Sequence, residues 1–207
     1  MKRMEKSLRR SVCLGLAVIC GSLLLGGCGE NYPDKAADGT AWDTEWTMLG
    51  SVLGVEEPDN GLTLSENPVV LTGSDTYYAT WTLGEPTAYT NAEGDDTDLY
   101  EAELYVLVLG HDEEEECSAT LDEWLALEEE TYQIDSTEEV TCNGCTYTLL
   151  SYTVTSDSNP YSRGITAFGQ YKTYAVTAEF TCTAGFSGDE REMLVNFLKQ
   201  CHYADRS

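Results

Sequence analysis

The stretch YAVTAEFTC, Tyr174 to Cys182, constrains the fold of this chain more than any other. In an extended backbone Tyr174, Val176, Ala178, Phe180 and Cys182 point to one side, and Ala175, Thr177, Glu179 and Thr181 to the other. A strand patterned in this way must lay its apolar side on a core, so it needs neighbouring strands and a covering layer. Residues 76–90 and 99–110 are rich in aromatic and β-branched residues and flank the acidic turn NAEGDDTD, which predicts an antiparallel pair. Further strands are predicted at 138–142, 145–155 and 164–169.

Two helices accompany them. In SATLDEWLALEEETY, Leu121, Trp124, Leu125 and Glu128 share a face, and Thr120 with Glu123 fits a capping box. In EREMLVNFLKQC the stripe is Met193, Leu194, Phe197, Leu198 and Cys201, with Ser187 and Glu190 as a second capping box. Trp46, Leu49, Val52 and Leu53 recur at near-helical spacing and predict a short amphipathic segment over 45–55. The expected fold is α+β: residues 45–207 as a single domain, an antiparallel β-sheet with two or three helices packed on it.

The N-terminus carries a different signal. MKRMEKSLRR is basic, and the uncharged stretch that follows, residues 11–27, is short for a membrane span of about 20 residues. Leu25-Gly26-Gly27-Cys28 resembles a bacterial lipobox. That resemblance implies a lipoprotein signal peptide over 1–27 and cleavage before Cys28, whose sulfur takes a diacylglycerol. Acyl chains at about 0.8 kcal/mol per buried methylene would then moor the protein on the outer side of the cell membrane. A plain signal peptide or an uncleaved anchor helix is the alternative. Residues 28–44 are polar and read as the lipidated N-terminus and a flexible tether.

The formal net charge is −26, and the leader holds five of the 11 cations and only one of the 37 carboxylates, so the remainder is more acidic still. Such a chain repels phosphate backbones, which excludes nucleic acid as a partner. Cations, basic proteins and neutral molecules stay open, as does acidity that serves only solubility.

TCNGCTY places Cys142 and Cys145 around Asn143-Gly144, the strongest short hairpin signal. A thioredoxin-like pair needs a helix N-terminus after its first cysteine, and the flanks here are strand-like. In a two-residue hairpin the two cysteines face each other, within reach of a disulfide. C-x-x-C is also half of a structural zinc site, which Cys182 with Cys201 or His202 would complete, although the second pair lacks knuckle spacing. Cys117 is the fifth cysteine after Cys28, and an odd count leaves one unpaired. Cys182–Cys201 is the favoured long bridge. Against it stands the helix between them, whose length would separate the sulfurs. Pairing of Cys117 with either, or thiols that all stay reduced, are the other arrangements.

No residues fit a nucleophile–base constellation or a cofactor motif, so no cofactor is expected and catalytic residues are assigned to none. Asn91, Glu93, Asp95, Asp96 and Asp98 supply oxygens that would attract calcium, but not at EF-hand spacing. Tyr78, with Tyr89 or Tyr100, would form an outward aromatic face on which a sugar or peptide stacks, the alternative being core packing. Arg163 in NPYSRG would hold a ligand carboxylate or an internal salt bridge.

WTMLGSVLGVE, DEWLALEEETY, TCNGCTYTLLSYTV, PYSRGITAFG and FLKQCHY, taken in order, resemble an uncharacterised group of small acidic lipoproteins of anaerobic Gram-positive bacteria. More remotely, the order of strands and helices is similar to the fold shared by the photosystem II extrinsic protein PsbP and the Ran-binding Mog proteins. The resemblance implies a non-enzymatic binding or assembly role. The sequence therefore leads to a membrane-anchored extracytoplasmic lipoprotein whose partners are the membrane, through its lipid, and a protein, peptide or glycan ligand. A zinc or calcium module is the alternative, and a hydrolase of glycans or peptides a further one.

Overall fold

Chain alternation carries directly into the architecture. A computed structural model describes residues 35–43, 45–65, 68–71, 75–90, 94–156 and 159–204. The leader, Cys28, Asn91 and Glu93 lie outside the described residues. The strands are β1 (Thr47–Leu49), β2 (Leu53–Val55), β3 (Thr63–Leu64), β4 (Val69–Leu71), β5 (Thr76–Leu83), β6 (Thr87–Thr90) and β7 (Asp96–Leu99). After them come β8 (Ala102–Gly110), β9 (Gln133–Cys142), β10 (Cys145–Thr153), β11 (Arg163–Tyr171), β12 (Tyr174–Cys182) and β13 (Cys201–Tyr203). The helices are α1 (Glu114–Thr131) and α2 (Glu190–Lys199).

One antiparallel sheet runs β3-β5-β8-β12-β11-β10-β9, with β4 also on β5, while β1-β2-β13 and β6-β7 form two small sheets. The expected α+β domain is thus present in a form dominated by its sheet. β12 lies near the middle, and its register aligns Phe180 with Leu104 and Ile165, Ala178 with Val106 and Ala167, and Val176 with Val108 and Gly169. These residues form the floor of a core roofed by α2, whose Leu194, Val195, Phe197 and Leu198 are buried. Each such side chain contributes about 1.5–3 kcal/mol by leaving water. Trp81 meets Phe197 edge-on at 4.9 Å between ring centroids, joining β5 to the helix.

Several expectations change at the element ends. Residues 45–55 form β1 and β2 rather than an amphipathic helical turn, because Gly50 takes φ 57° and reverses the chain. Helix α1 starts at Glu114, ahead of Thr120, so the acidic run is its first turn, where the helix dipole favours carboxylates. Thr120 instead lies 3.0 Å from His111 Nε2. The cap of α2 is Asp189, which accepts from the Glu192 N–H, and not Ser187. Residues 76–110 do pair as β5 with β8, but the acidic turn carries the separate β6-β7 ribbon.

The N-terminal boundary moves as well. Residues 35–43, expected in a flexible tether, dock on the domain: Ala36 bridges Ala204, and the Ala37 N–H donates to the Tyr203 carbonyl at 2.7 Å. Both ring nitrogens of buried His202 face carboxylates, Nδ1 to Asp38 at 2.7 Å and Nε2 to Glu56 at 3.0 Å, and the ring stacks on Trp46. Burial opposes the charge on Asp38, but hydrogen bonds from Thr40 and His202 outweigh it and hold its pKa low.

If the α2 side is the principal core, Trp81→Ala lowers unfolding stability by about 3–5 kcal/mol in chemical denaturation, whereas Tyr89→Ala on the β6-β7 ribbon changes it by less than about 0.5 kcal/mol.

Candidate functional site: the polar side of the sheet

The other side of the same sheet is where the chemistry gathers. Alternation sends Glu103, Tyr105 and Leu107 of β8, Thr177 and Glu179 of β12, Thr166 and Phe168 of β11, and Leu150 and Tyr152 of β10 toward α1. One row across the sheet reads Thr80, Tyr105, Glu179, Thr166, Leu150. Helix α1 packs over β11 and β12, which leaves Tyr78, Thr80, Glu103, Tyr105 and Leu107 only half-buried beyond its flank.

Beneath the helix two carboxyls meet. Thr166 Oγ1 donates to Glu128 Oε1 at 2.6 Å, and the Tyr152 hydroxyl donates to Glu179 Oε1 at 2.5 Å. Tyr132, at the end of α1, stacks on Tyr152 with centroids 4.2 Å apart and planes at 9°. Gly164 makes room for the Tyr152 hydroxyl, because a Cβ there would sit 2.5 Å from it. Burial raises the pKa of Glu128 to about 8, the Glu179 charge adds to the rise, and the Thr166 bond opposes it. Burial raises Glu179 too, against the Tyr152 hydrogen bond. Two interacting carboxyls without a cation share protons rather than ionise together.

A third acid lies along the same face. Burial raises the Glu103 pKa, opposed by its hydrogen bond with Tyr161, and burial followed by the Glu103 charge raises Tyr161 in turn. Tyr100, between β7 and β8, also lies near Tyr161. Further along, Tyr78 of β5 and Tyr105 of β8 set their rings 5.8 Å apart at 38°. Tyr78, Tyr105, Glu103, Glu128 and Glu179 therefore share this face, with Tyr161 reaching it through Glu103; the ring beside Tyr78 is Tyr105, whereas Tyr100 lies near Tyr161. The alternation of β8 and β12 already set Tyr105 and Glu179 apart from the apolar positions; the sequence carries no signal for Tyr161.

The remaining expected residues go elsewhere. Tyr89 belongs to the β6-β7 ribbon. Arg163 points to the α2 side, where it pairs with Glu190 and donates from Nη2 to the Phe186 carbonyl at 2.8 Å, so its carboxylate partner is internal. A hollow of about 390 Å³ beside it is lined by Asp135, Ser187 and Arg191 among others. Among the described residues no three His, Cys, Asp or Glu side chains converge to hold a metal ion. Asp95, Asp96 and Asp98, and Cys142, Cys145, Cys182, Cys201 and His202, are among them.

Cys142 and Cys145 face each other across a turn with Asn143 at φ 48° and Gly144 at φ 82°, the two-residue hairpin expected from CNGC. Cys117, Cys142, Cys145, Cys182 and Cys201 are all buried free thiols. Cys182 and Cys201, the favoured long bridge, are set apart by the helix between them. Cys182 Sγ sits by Glu190 at the start of α2, and Cys201 follows its far end, about 15 Å of helix away.

No protein-family model matches the chain, and no curated protein matches it.

The raised pKa of Glu128 makes stability depend on pH. An acid whose pKa is raised on folding contributes stability at low pH that is lost as pH climbs from its unfolded value, near 4.5, through its folded value, about 8. Glu128→Gln keeps the volume and removes the titration. In denaturant titrations from pH 5 to 9 the variant has a flatter profile and is the more stable protein at pH 9, by about 2 kcal/mol.

Proposed function

We propose that the protein is a lipid-anchored extracytoplasmic binding domain, without catalytic residues, whose ligand lies on the α1 side of the sheet along β5 and β8. The carrying observation is the half-buried strip Tyr78, Tyr105, Glu103 and Tyr161, which runs beside the helix and ends against the proton-sharing carboxyls. Aromatic rings with polar tips suit a partner that is part apolar and part hydrated. Acids supply hydrogen bonds and favour a neutral or cationic ligand, which agrees with a net charge of −26. A glycan or a short peptide has this chemistry.

Glu128 and Glu179 offer the paired carboxyls that a hydrolase needs, but each is spent on a protein hydroxyl beneath α1. That arrangement favours binding over catalysis. The lipobox-like Leu25-Gly26-Gly27-Cys28 supports the anchor, and the docked residues 35–43 would hold the domain closer to the bilayer than a free tether. The seven Cα-to-Cα steps from Cys28 to Lys35 reach at most about 25 Å.

Two experiments test the two halves of the reading. In cells grown with an alkyne-bearing fatty acid the full chain takes up label and Cys28→Ala does not; label that persists in the variant removes the anchor. In saturation-transfer NMR of the full chain in detergent with neutral oligosaccharides and basic peptides, one class binds, and the double variant Tyr78→Ala, Tyr105→Ala weakens it about tenfold or more while Tyr89→Ala does not. Binding indifferent to the double variant rules out this face.

A further inference from the structure

Three thiols that the sequence left in separate pairs meet at one corner of the domain. Asn143, inside the CNGC turn, donates from Nδ2 to the Lys199 carbonyl at 2.7 Å and to the Cys201 carbonyl at 2.8 Å. The side chain thereby fastens the hairpin tip to the junction between α2 and β13. Cys201 lies close enough to Cys142 and Cys145 for their charges to interact. Above them the Tyr147 and Tyr203 hydroxyls share a hydrogen bond of 2.5 Å.

We propose that Cys142 and Cys201 are the site of a disulfide, formed by exchange with a disulfide-bearing oxidant, that ties the β9-β10 hairpin to the C-terminal strand β13. The proposal does not depend on the ligand face or on the lipid anchor.

The neighbours distinguish this pair from its alternatives. Cys142 is the most exposed of the three, at 5% against 1% for Cys145 and 2% for Cys201, so it is the thiol an external disulfide reaches first. Cys145 Sγ points instead at the Gln170 carbonyl, 3.5 Å away, and a Cβ at residue 169 would lie 3.0 Å from it. A Cys142–Cys145 bridge would cross only a two-residue turn and constrain almost nothing in the unfolded chain, whereas Cys142–Cys201 closes a loop of some sixty residues. Cys182 lies by Glu190 at the opposite end of α2 and takes no part.

The chemistry balances as two exchanges. The Cys142 thiolate attacks one sulfur of the oxidant, releasing the other as a thiolate and leaving a mixed disulfide on Cys142. Cys201, having lost its proton, attacks the Cys142 sulfur and displaces the oxidant's remaining thiolate. Two protons and two electrons pass to the oxidant, which ends as two thiols. Burial raises the pKa of all three cysteines, which makes the reaction slow in either direction.

The test uses the full chain in detergent, equilibrated with graded oxidised and reduced glutathione, alkylated, digested without reduction and read by peptide mass. Oxidation is expected to give a peptide linking Cys142 to Cys201, with Cys117 and Cys182 alkylated, and to raise the thermal midpoint by about 10 °C. Cys145→Ala keeps the linked peptide and Cys201→Ala abolishes it. A Cys142–Cys145 loop as the wild-type product overturns the proposal, as does loss of the link in Cys145→Ala. Thiols that stay fully alkylatable in the most oxidising buffer overturn it equally.

Discussion

Glu179 sits in a central strand of an antiparallel sheet, and much of this domain is arranged around that fact. Its neighbours along β12, Ala178 and Phe180, must face α2 if the apolar core is to close, so the pleat turns Glu179 to the other side. A one-residue slip would relieve the acid but expose Val176, Ala178 and Phe180 together. The carboxyl is therefore fixed in place by the packing of the opposite face.

Among the described ion pairs none reaches Glu179. Those of Arg163 and Arg191 lie with Glu190 and Glu138. Tyr152 supplies a donor, a second carboxyl arrives from α1, and a retained proton takes the place of a positive charge. Helix α1 is in consequence a partly polar lid, with Cys117 its only fully buried residue, in contrast to the apolar α2. One sheet thus has a dry side that holds the fold together and a polar side that leaves β5 and β8 open beyond the helix. The proposed ligand face follows from this asymmetry.

Strands with strict alternation were legible from their residues, β12 above all, and so was the CNGC hairpin, because Asn-Gly imposes its own turn. Helix starts were misplaced where two signals competed: Thr120 with Glu123 mimicked a capping box inside a helix whose acidic first turn had already begun. Near-helical spacing of Trp46, Leu49, Val52 and Leu53 misled because a tight reversal at Gly50 pairs Leu49 with Leu53 across two short strands. The outward side of Tyr78 was visible in the alternation of β5, but its neighbour Tyr105 was not singled out, because only the β5-β8 register brings the two rings together. Glu128 was legible as a member of a helix face but not as the partner of Glu179, since the two are distant in sequence and only packing brings them together. Arg163 was ambiguous for the same reason: its partner Glu190 comes from another element.

The central claim is that the polar side of the sheet holds a proton between two carboxyls. Carbon-13 detection of glutamate side-chain carboxyls in the full chain, titrated from pH 4 to 9 and assigned with Glu128→Gln, tests it most directly. The account predicts that the Glu128 resonance moves with a midpoint near pH 8 and that Glu179 titrates above the ordinary carboxylate range, returning toward it in the variant. Both carboxyls titrating together near pH 4.5, with Glu179 indifferent to the loss of Glu128, would contradict it.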